Sequence, residues 1–579
     1  MTDTLSIARA WADADPDPTT AAEIRALISA NNTNELSDRF AGNLEFGTAG
    51  LRGVIGGGTN RINRAVVIRT TAGLARYLTK HVPEVTKRGV VVGLDGRRMS
   101  PEFVSDVAAV LAAEGIPAHV FTGVAATPLT AFGCLQLKAA AAVMVTASHN
   151  PPEYNGYKVY WGNGAQIIPP HDSGIAASID TVEAANAVPR MAETEARAKK
   201  LWLDVPASVT RAYLDAILAL RPTKKTADLK IVYTAMHGVG GALVTQVLKE
   251  AGFSQVSVVA EQFEPDGAFP TVRFPNPEEK GAMDLSTALA QKVGADIVLA
   301  NDPDADRLAV MARDEKGALR MLSGNEVGVL LGHFLLTQVK TQNPLVVTTI
   351  VSSAQLKSIA EALGAKYGET LTGFKWIANL AIEEAKAGVN FVVGYEEALG
   401  YSVGPVVRDK DGIGAALVLA DMAAWCKERG VTLLQYLAEV QRAHGLFVAK
   451  QFNATLPGAS GAAAIRSVMN AFRAHPLTGL PNLEVSATND YDAQTRTAGA
   501  AVTKLALPKS NVIAYEFKGG HRITLRPSGT EPKIKFYFEL KETAATGEAM
   551  STAHTRASQN LEAMERAFLQ EAQKRGLPV

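Results

Sequence analysis

Val90-Val91-Val92-Gly93-Leu94 is a β-branched run, followed by Ser100 as the expected N-cap, Pro101 at the first helical position and Gly115 after the last turn. That order reads as a strand, a turn and an amphipathic helix. The same grammar recurs twice. Ile231-Val232-Tyr233 leads through His237-Gly238-Val239-Gly240-Gly241 to Gly252, and Leu345-Val346-Val347 leads through Ser352-Ser353 to Gly364. Each segment is half of a βαβ unit, and the closing glycines are spaced by domains rather than by solenoid repeats. The expected fold class is therefore α/β, with three related α/β/α domains.

The C-terminal part has a different rhythm. His521-Arg522-Ile523-Thr524-Leu525-Arg526 and Ile534-Lys535-Phe536-Tyr537-Phe538-Glu539-Leu540 alternate as half-exposed strands do, and a long helical stretch rich in Ala, Glu, Lys and Gln follows. A fourth, smaller α+β domain fits that pattern. Seams near Pro206, near Ser323 and between Leu446 and Pro457 give expected domains at 1–205, 206–322, 323–446 and 447–579.

Composition narrows the function. With 579 residues the chain exceeds what one core serves. Its 58 basic and 58 acidic residues cancel, so no global field draws it to nucleic acid or to an anionic membrane. No apolar run approaches the ~20 residues that span a bilayer. Cys134 and Cys426 lie far apart in apolar surroundings, which favours buried reduced thiols and a cytoplasmic setting.

Two stretches carry the chemistry. Ser148, in Thr146-Ala147-Ser148-His149-Asn150-Pro151, follows the apolar strand Ala140–Val145, at the carboxyl edge where open α/β sheets hold ligands. Taken alone it reads more readily as a turn serine. Asp302, Asp304 and Asp306 follow a second strand, Asp296–Ala300, and three neighbouring carboxylates require a cation. An EF-hand loop would need Gly and Glu where Arg307 and Arg313 stand, so that rival fails, and a solvated acidic turn is the remaining alternative. Oxygen donors beside a phosphate favour Mg²⁺ over zinc.

A third stretch, Arg526-Pro527-Ser528-Gly529-Thr530-Glu531-Pro532-Lys533, collects a guanidinium, hydroxyls and Gly-adjacent amides, the parts of a phosphate clamp, with Lys535 on the next strand. A plain turn between strands would use similar residues. The Gly238–Gly241 turn is no dinucleotide site, since the third fingerprint glycine would fall at Leu243.

These motifs, with Gly47–Gly53, Thr372-Gly373-Phe374-Lys375-Trp376 and Gly394-Tyr395-Glu396-Glu397-Ala398-Leu399-Gly400, stand in the order of the α-D-phosphohexomutases, which the chain resembles over nearly all its length. The resemblance implies four domains in a heart-shaped molecule, each giving one loop to a central cleft. It implies Ser148 as phosphoserine and, with Asp302, Asp304 and Asp306, as ligand to one Mg²⁺. Arg52 and Arg307 would support the bound phosphate, and His149, Lys158 and Lys410 would be candidates for proton transfer. Gly373, Phe374 and Lys375 would orient the sugar and Glu396 hold its hydroxyls, while Arg526, Ser528, Gly529, Thr530 and Lys535 would grip the distal phosphate.

The implied activity is a phosphohexomutase interconverting sugar 1- and 6-phosphates, glucose first, on a monomer or homodimer, with a sugar bisphosphate as activator. Ala398 stands where many hexomutases have Ser, which keeps phosphopentomutase and phosphomannomutase activity open. A non-catalytic sugar-phosphate sensor is the rival of another class, and the intact serine, aspartates and lysines weigh against it.

Overall fold

The computed structural model describes residues 2–45, 50–314, 316–456, 458–528 and 533–578, without the side chains of 2, 3 and 458–460. Four sheets succeed one another along the chain. In the first, the repeated strand Val90–Leu94 lies between Ala118–Val120 and Ala141–Val145, parallel to both, and Tyr154–Trp161 and Leu51–Val54 extend the sheet antiparallel. The second sheet runs parallel from Gln255–Val258 through Lys230–Thr234 to Ile297–Ala300, then turns antiparallel. The third centres on Pro344–Thr349. All three expected strands are buried, as parallel strands covered on both faces must be.

Mixed sheets in the first three units thus replace the sequence pattern with an observed topology, and one detail shifts. The helix after Val90–Leu94 begins at Ser100, so Met99, with φ +66°, holds the cap position instead. Ser100 donates its hydroxyl to Asp95 Oδ1 (3.1 Å) and is lost as a cap.

The fourth sheet is antiparallel and carries the long helix Met550–Lys574. Leu446–Thr455, expected as a linker, is instead its edge strand, paired along its whole length with Lys533–Glu542. The strands at 522–527 and 533–542 are also more enclosed than half-exposed alternation suggests. Ile523, Leu525, Phe536 and Phe538 pack with Phe568 of the helix. The opposite face docks on the third unit, where Tyr537 joins Ile350, Val351 and Leu371, and Arg522 pairs with Glu369 (3.0 Å).

The first three units share one apolar cluster, in which Phe132, Val232 and Val418 are joined by Tyr213 and Ile217 of the helix Ala207–Leu218. Sequence reading placed residues 2–39 in the first domain without assigning them an element, and they form three helices around Ala8, Ala12, Ile24 and Leu36. They brace the turn after Leu51–Val54: the Gly57 amide donates to Glu23 Oε2 (2.8 Å) and Arg39 donates to the Gly57 carbonyl (3.1 Å). Both cysteines are buried and free. Among the described residues no helix is long and apolar enough to cross a membrane.

Candidate active site

Ser148 leaves its strand in the left-handed region, at φ +53°. A non-glycine residue persists there only when its surroundings hold it. The holder is Arg97, which is 2% exposed and donates to the carbonyls of Ser148 (2.6 Å), Asn150 (2.5 Å), Pro151 (2.8 Å) and Tyr154 (3.0 Å). Asp95 sits 3.4 Å from the Arg97 Nε and accepts from Thr146 Oγ1 (2.6 Å). Sequence reading missed this pair, although Asp95-Gly96-Arg97 directly follows the first repeated strand.

The second unit meets this loop. Ala305, at φ +58°, bends the chain between Asp304 and Asp306, so that the three aspartates converge with ligand oxygens within 4.8 Å of one another. The glycine turn after Lys230–Thr234 lies against this bend, and a Cβ on Gly238 would overlap Pro303. Ser148 Oγ donates to Asp302 Oδ2 (2.9 Å) and lies 3.2 Å from His149 Nδ1. Lys158 Nζ donates to Asp304 Oδ2 (2.7 Å) and Asp306 Oδ2 (2.9 Å), Lys410 Nζ lies 3.2 Å from Asp306, and Thr127 Oγ1 donates to Asp304 Oδ2 (2.7 Å).

All three aspartates are fully buried. Burial and the neighbouring carboxylates drive the Asp302 pKa well up, whereas Lys158, against the same burial, holds Asp304 and Asp306 low. Asp304 Oδ1 and Asp306 Oδ1 are buried without a hydrogen-bond partner. Unpaired carboxylate oxygens in a dry pocket are costly, and a divalent cation with oxygen ligands satisfies them. The residues fit such an ion. Burial, then Arg307 and Arg52, push His149 well below its usual pKa, which favours the uncharged imidazole.

The third unit closes the site. Arg307 bridges to Gly400, and the Leu308 amide donates to the Leu399 carbonyl (3.0 Å), which stitches the aspartate loop to the Glu396 loop. Glu396 Oε1 accepts from the Gly373 amide (2.7 Å), and Lys410 Nζ lies 5.9 Å from the Phe374 ring. Asp409, another residue missed earlier, accepts from Tyr160 (2.7 Å) and Gln166 (2.8 Å) of the first unit, anchoring the segment that carries Lys410. Lys375 lies 3.9 Å from Asp172 of the first unit.

Arg52 reaches Asn150 (3.4 Å). On the fourth unit Arg526 and Lys535 sit opposite each other on paired strands, and Lys535 feels Glu397 across the cleft, although burial lowers its pKa. The Ser528 amide donates to Lys533 O (2.7 Å). Gly529 and Thr530, like 47–49 of the first motif, lie outside the described residues.

Family models bear on this arrangement directly. Phosphoglucomutase/phosphomannomutase α/β/α domains I, II and III match residues 43–186, 211–317 and 323–443, and the C-terminal domain of the same family matches 482–552. The chain belongs to the α-D-phosphohexomutases. A phosphopentomutase of Mus musculus is 37% identical, across 92% of this chain and 89% of its own. A phosphoglucomutase of Staphylococcus epidermidis is 36% identical, across 89% and 94%. The open form of pp63/parafusin, a phosphoglucomutase from Paramecium, shares the fold at a TM-score of 0.67 and 20% identity, covering 91% of this chain and 95% of that one. This chain is thus an enzyme of the intramolecular phosphotransferase type.

Proposed function

We propose that the enzyme moves a phosphoryl group between the C1 and C6 oxygens of glucose phosphate through a phosphoserine at Ser148. The observation that carries this reading is the convergence of Ser148 Oγ, the aspartate trio and two lysines in one buried site. In the first half-reaction the sugar hydroxyl oxygen attacks the phosphorus of phosphorylated Ser148. A new P–O bond forms as the P–Oγ bond breaks, the proton of the sugar hydroxyl ends on the freed Ser148 Oγ, and the sugar bisphosphate results. After reorientation Ser148 Oγ attacks the other phosphate, which restores the phosphoserine and releases the isomer.

Each chain residue then has a task. His149, favoured uncharged and 3.2 Å from Ser148 Oγ, takes the serine proton in the return step. Lys158 and Lys410 are held charged by the carboxylates around them, so they stabilise the transferring group and donate protons rather than accept them. Arg52 and Arg307 add positive charge around the serine, as a loose phosphoryl-transfer transition state needs. Asp302, Asp304, Asp306 and the phosphoserine would hold one Mg²⁺, which supplies further charge neutralisation when bound.

Gly373, Phe374, Lys375 and Glu396 would orient the sugar. Arg526, Ser528 and Lys535, with Gly529 and Thr530, would grip whichever phosphate is not reacting. A pentose 1-phosphate is the second reading, favoured by Ala398 and by the phosphopentomutase relative. Measuring kcat/KM for glucose 1-phosphate, mannose 1-phosphate and ribose 1-phosphate separates them. A tenfold preference for ribose 1-phosphate would replace glucose as the substrate.

A further inference from the structure

Phe374, whose ring lies 5.9 Å from Lys410 Nζ, also lines a groove of about 730 Å³. Its floor is the helix Phe374–Ala385, whose Ala378 and Ala381 leave room where larger side chains would fill it. Val403 and Val339 form the walls, and Val339 is 37% exposed. That volume falls within the range of small-molecule sites, which are mostly apolar with a few placed polar groups.

Two basic residues of the groove have no ion pair among the described residues, the exposed Lys340 and the half-buried Arg408. Arg408 lines the groove half-buried, and its guanidinium donates to the Asn163 carbonyl (2.7 Å). Among the described residues it forms no ion pair, whereas Arg221, on the same wall, is committed to Asp421 (3.1 Å). Burial lowers the Arg408 pKa, as desolvation does for a cation. A guanidinium with free donors, beside an apolar hollow, complements a molecule with the opposite character at each end.

We propose that this groove binds a small amphipathic carboxylate, its apolar body on Ala378 and Ala381 and its carboxylate on Arg408. The bound anion supplies the charge that Arg408 lacks, and its body covers apolar surface now open to water. Occupancy is felt in the cleft by two short routes. Phe374 belongs to both the groove and the surroundings of Lys410, and Arg408 precedes Asp409, which Tyr160 and Gln166 anchor. This second effect rests on the mutase reading; binding itself does not.

Decanoate is the probe, titrated calorimetrically into the full chain. One saturable site is expected, weakened at least about tenfold by Arg408→Gln, as befits a lost charge-assisted contact. Ala381→Trp, which fills the floor, should weaken it similarly, while decylammonium should fail to compete. If Ala381→Trp lowers the melting temperature sharply, Ala381→Leu takes its place. Absence of saturable decanoate binding, or binding indifferent to both substitutions, overturns the site. Saturating decanoate should also shift the KM for glucose 1-phosphate in wild type and not in Arg408→Gln. An unchanged KM despite binding overturns the coupling. A chain without mutase turnover would sink the functional reading and leave the calorimetric result standing.

Discussion

Ser148 Oγ lies 2.9 Å from Asp302 Oδ2, although the two residues are 154 positions apart and follow strands of different sheets. Neither loop is relaxed: Ser148 and Ala305 both hold left-handed backbone, which costs of order 1–3 kcal/mol each. Such a cost persists where function requires the geometry. Here it points one hydroxyl and three carboxylates at a common point.

If that hydroxyl carries the phosphoryl group, Ser148→Ala should lose steady turnover while still binding sugar phosphate. Intact-mass measurement should find phosphorylated protein in the wild type and none in the variant. Near-normal turnover in Ser148→Ala ends the carrier role.

The unpartnered oxygens of Asp304 and Asp306 lead to a prediction that needs no assay of activity. Adding Mg²⁺ to chelator-treated enzyme should raise the melting temperature, because a ligand bound only by the folded state stabilises it by about 2.7 kcal/mol at a hundredfold excess over Kd. Asp304→Asn should abolish most of that shift. Equal shifts in both proteins would place the ion elsewhere.

The parts of this site legible in the sequence were those written as local runs. The serine loop and aspartate loop each follow a buried strand, so periodicity and turn chemistry placed them at sheet edges. Arg97 and Asp409 were not legible in the same way, because their importance comes from carbonyls 51 to 57 residues distant and from an amide and a hydroxyl 243 and 249 residues distant. The edge strand Leu446–Thr455 was read as linker because its partner lies beyond residue 530, and nothing local announces a non-local ladder. The N-terminal helices precede the first repeated strand and pack mainly among themselves, so the strand-turn-helix grammar did not reach them.

Gly400 gives a sharper test of Lys410. A Cβ at this position would overlap Lys410 Cδ, so Gly400→Ala should push the ammonium away from Asp306. A loss in kcat of one to three orders of magnitude, with KM for sugar phosphate changed less, is expected if Lys410 acts on the transferring group, since a positioned proton donor contributes roughly 10²–10⁴ in rate. Wild-type kcat in a correctly folded Gly400→Ala would remove Lys410 from the chemistry.

Stability should also depend on pH at a place far from the serine. His333, on the helix Gly324–Gln338, lies 2.6 Å from Tyr436 and packs against His444. Burial, then His444, lowers its pKa from 6.5 to about 4. Because the folded value is the depressed one, the unfolded chain binds this proton more readily. The contribution is therefore complete above about pH 6.5 and is lost as pH falls toward 4. Discounted for partial exposure, it amounts to about 2 kcal/mol. His333→Gln, which cannot take up the proton, should lose less of its melting temperature than wild type over that interval, and parallel melting curves for the two proteins would show that the imidazole is not the acid-sensitive group.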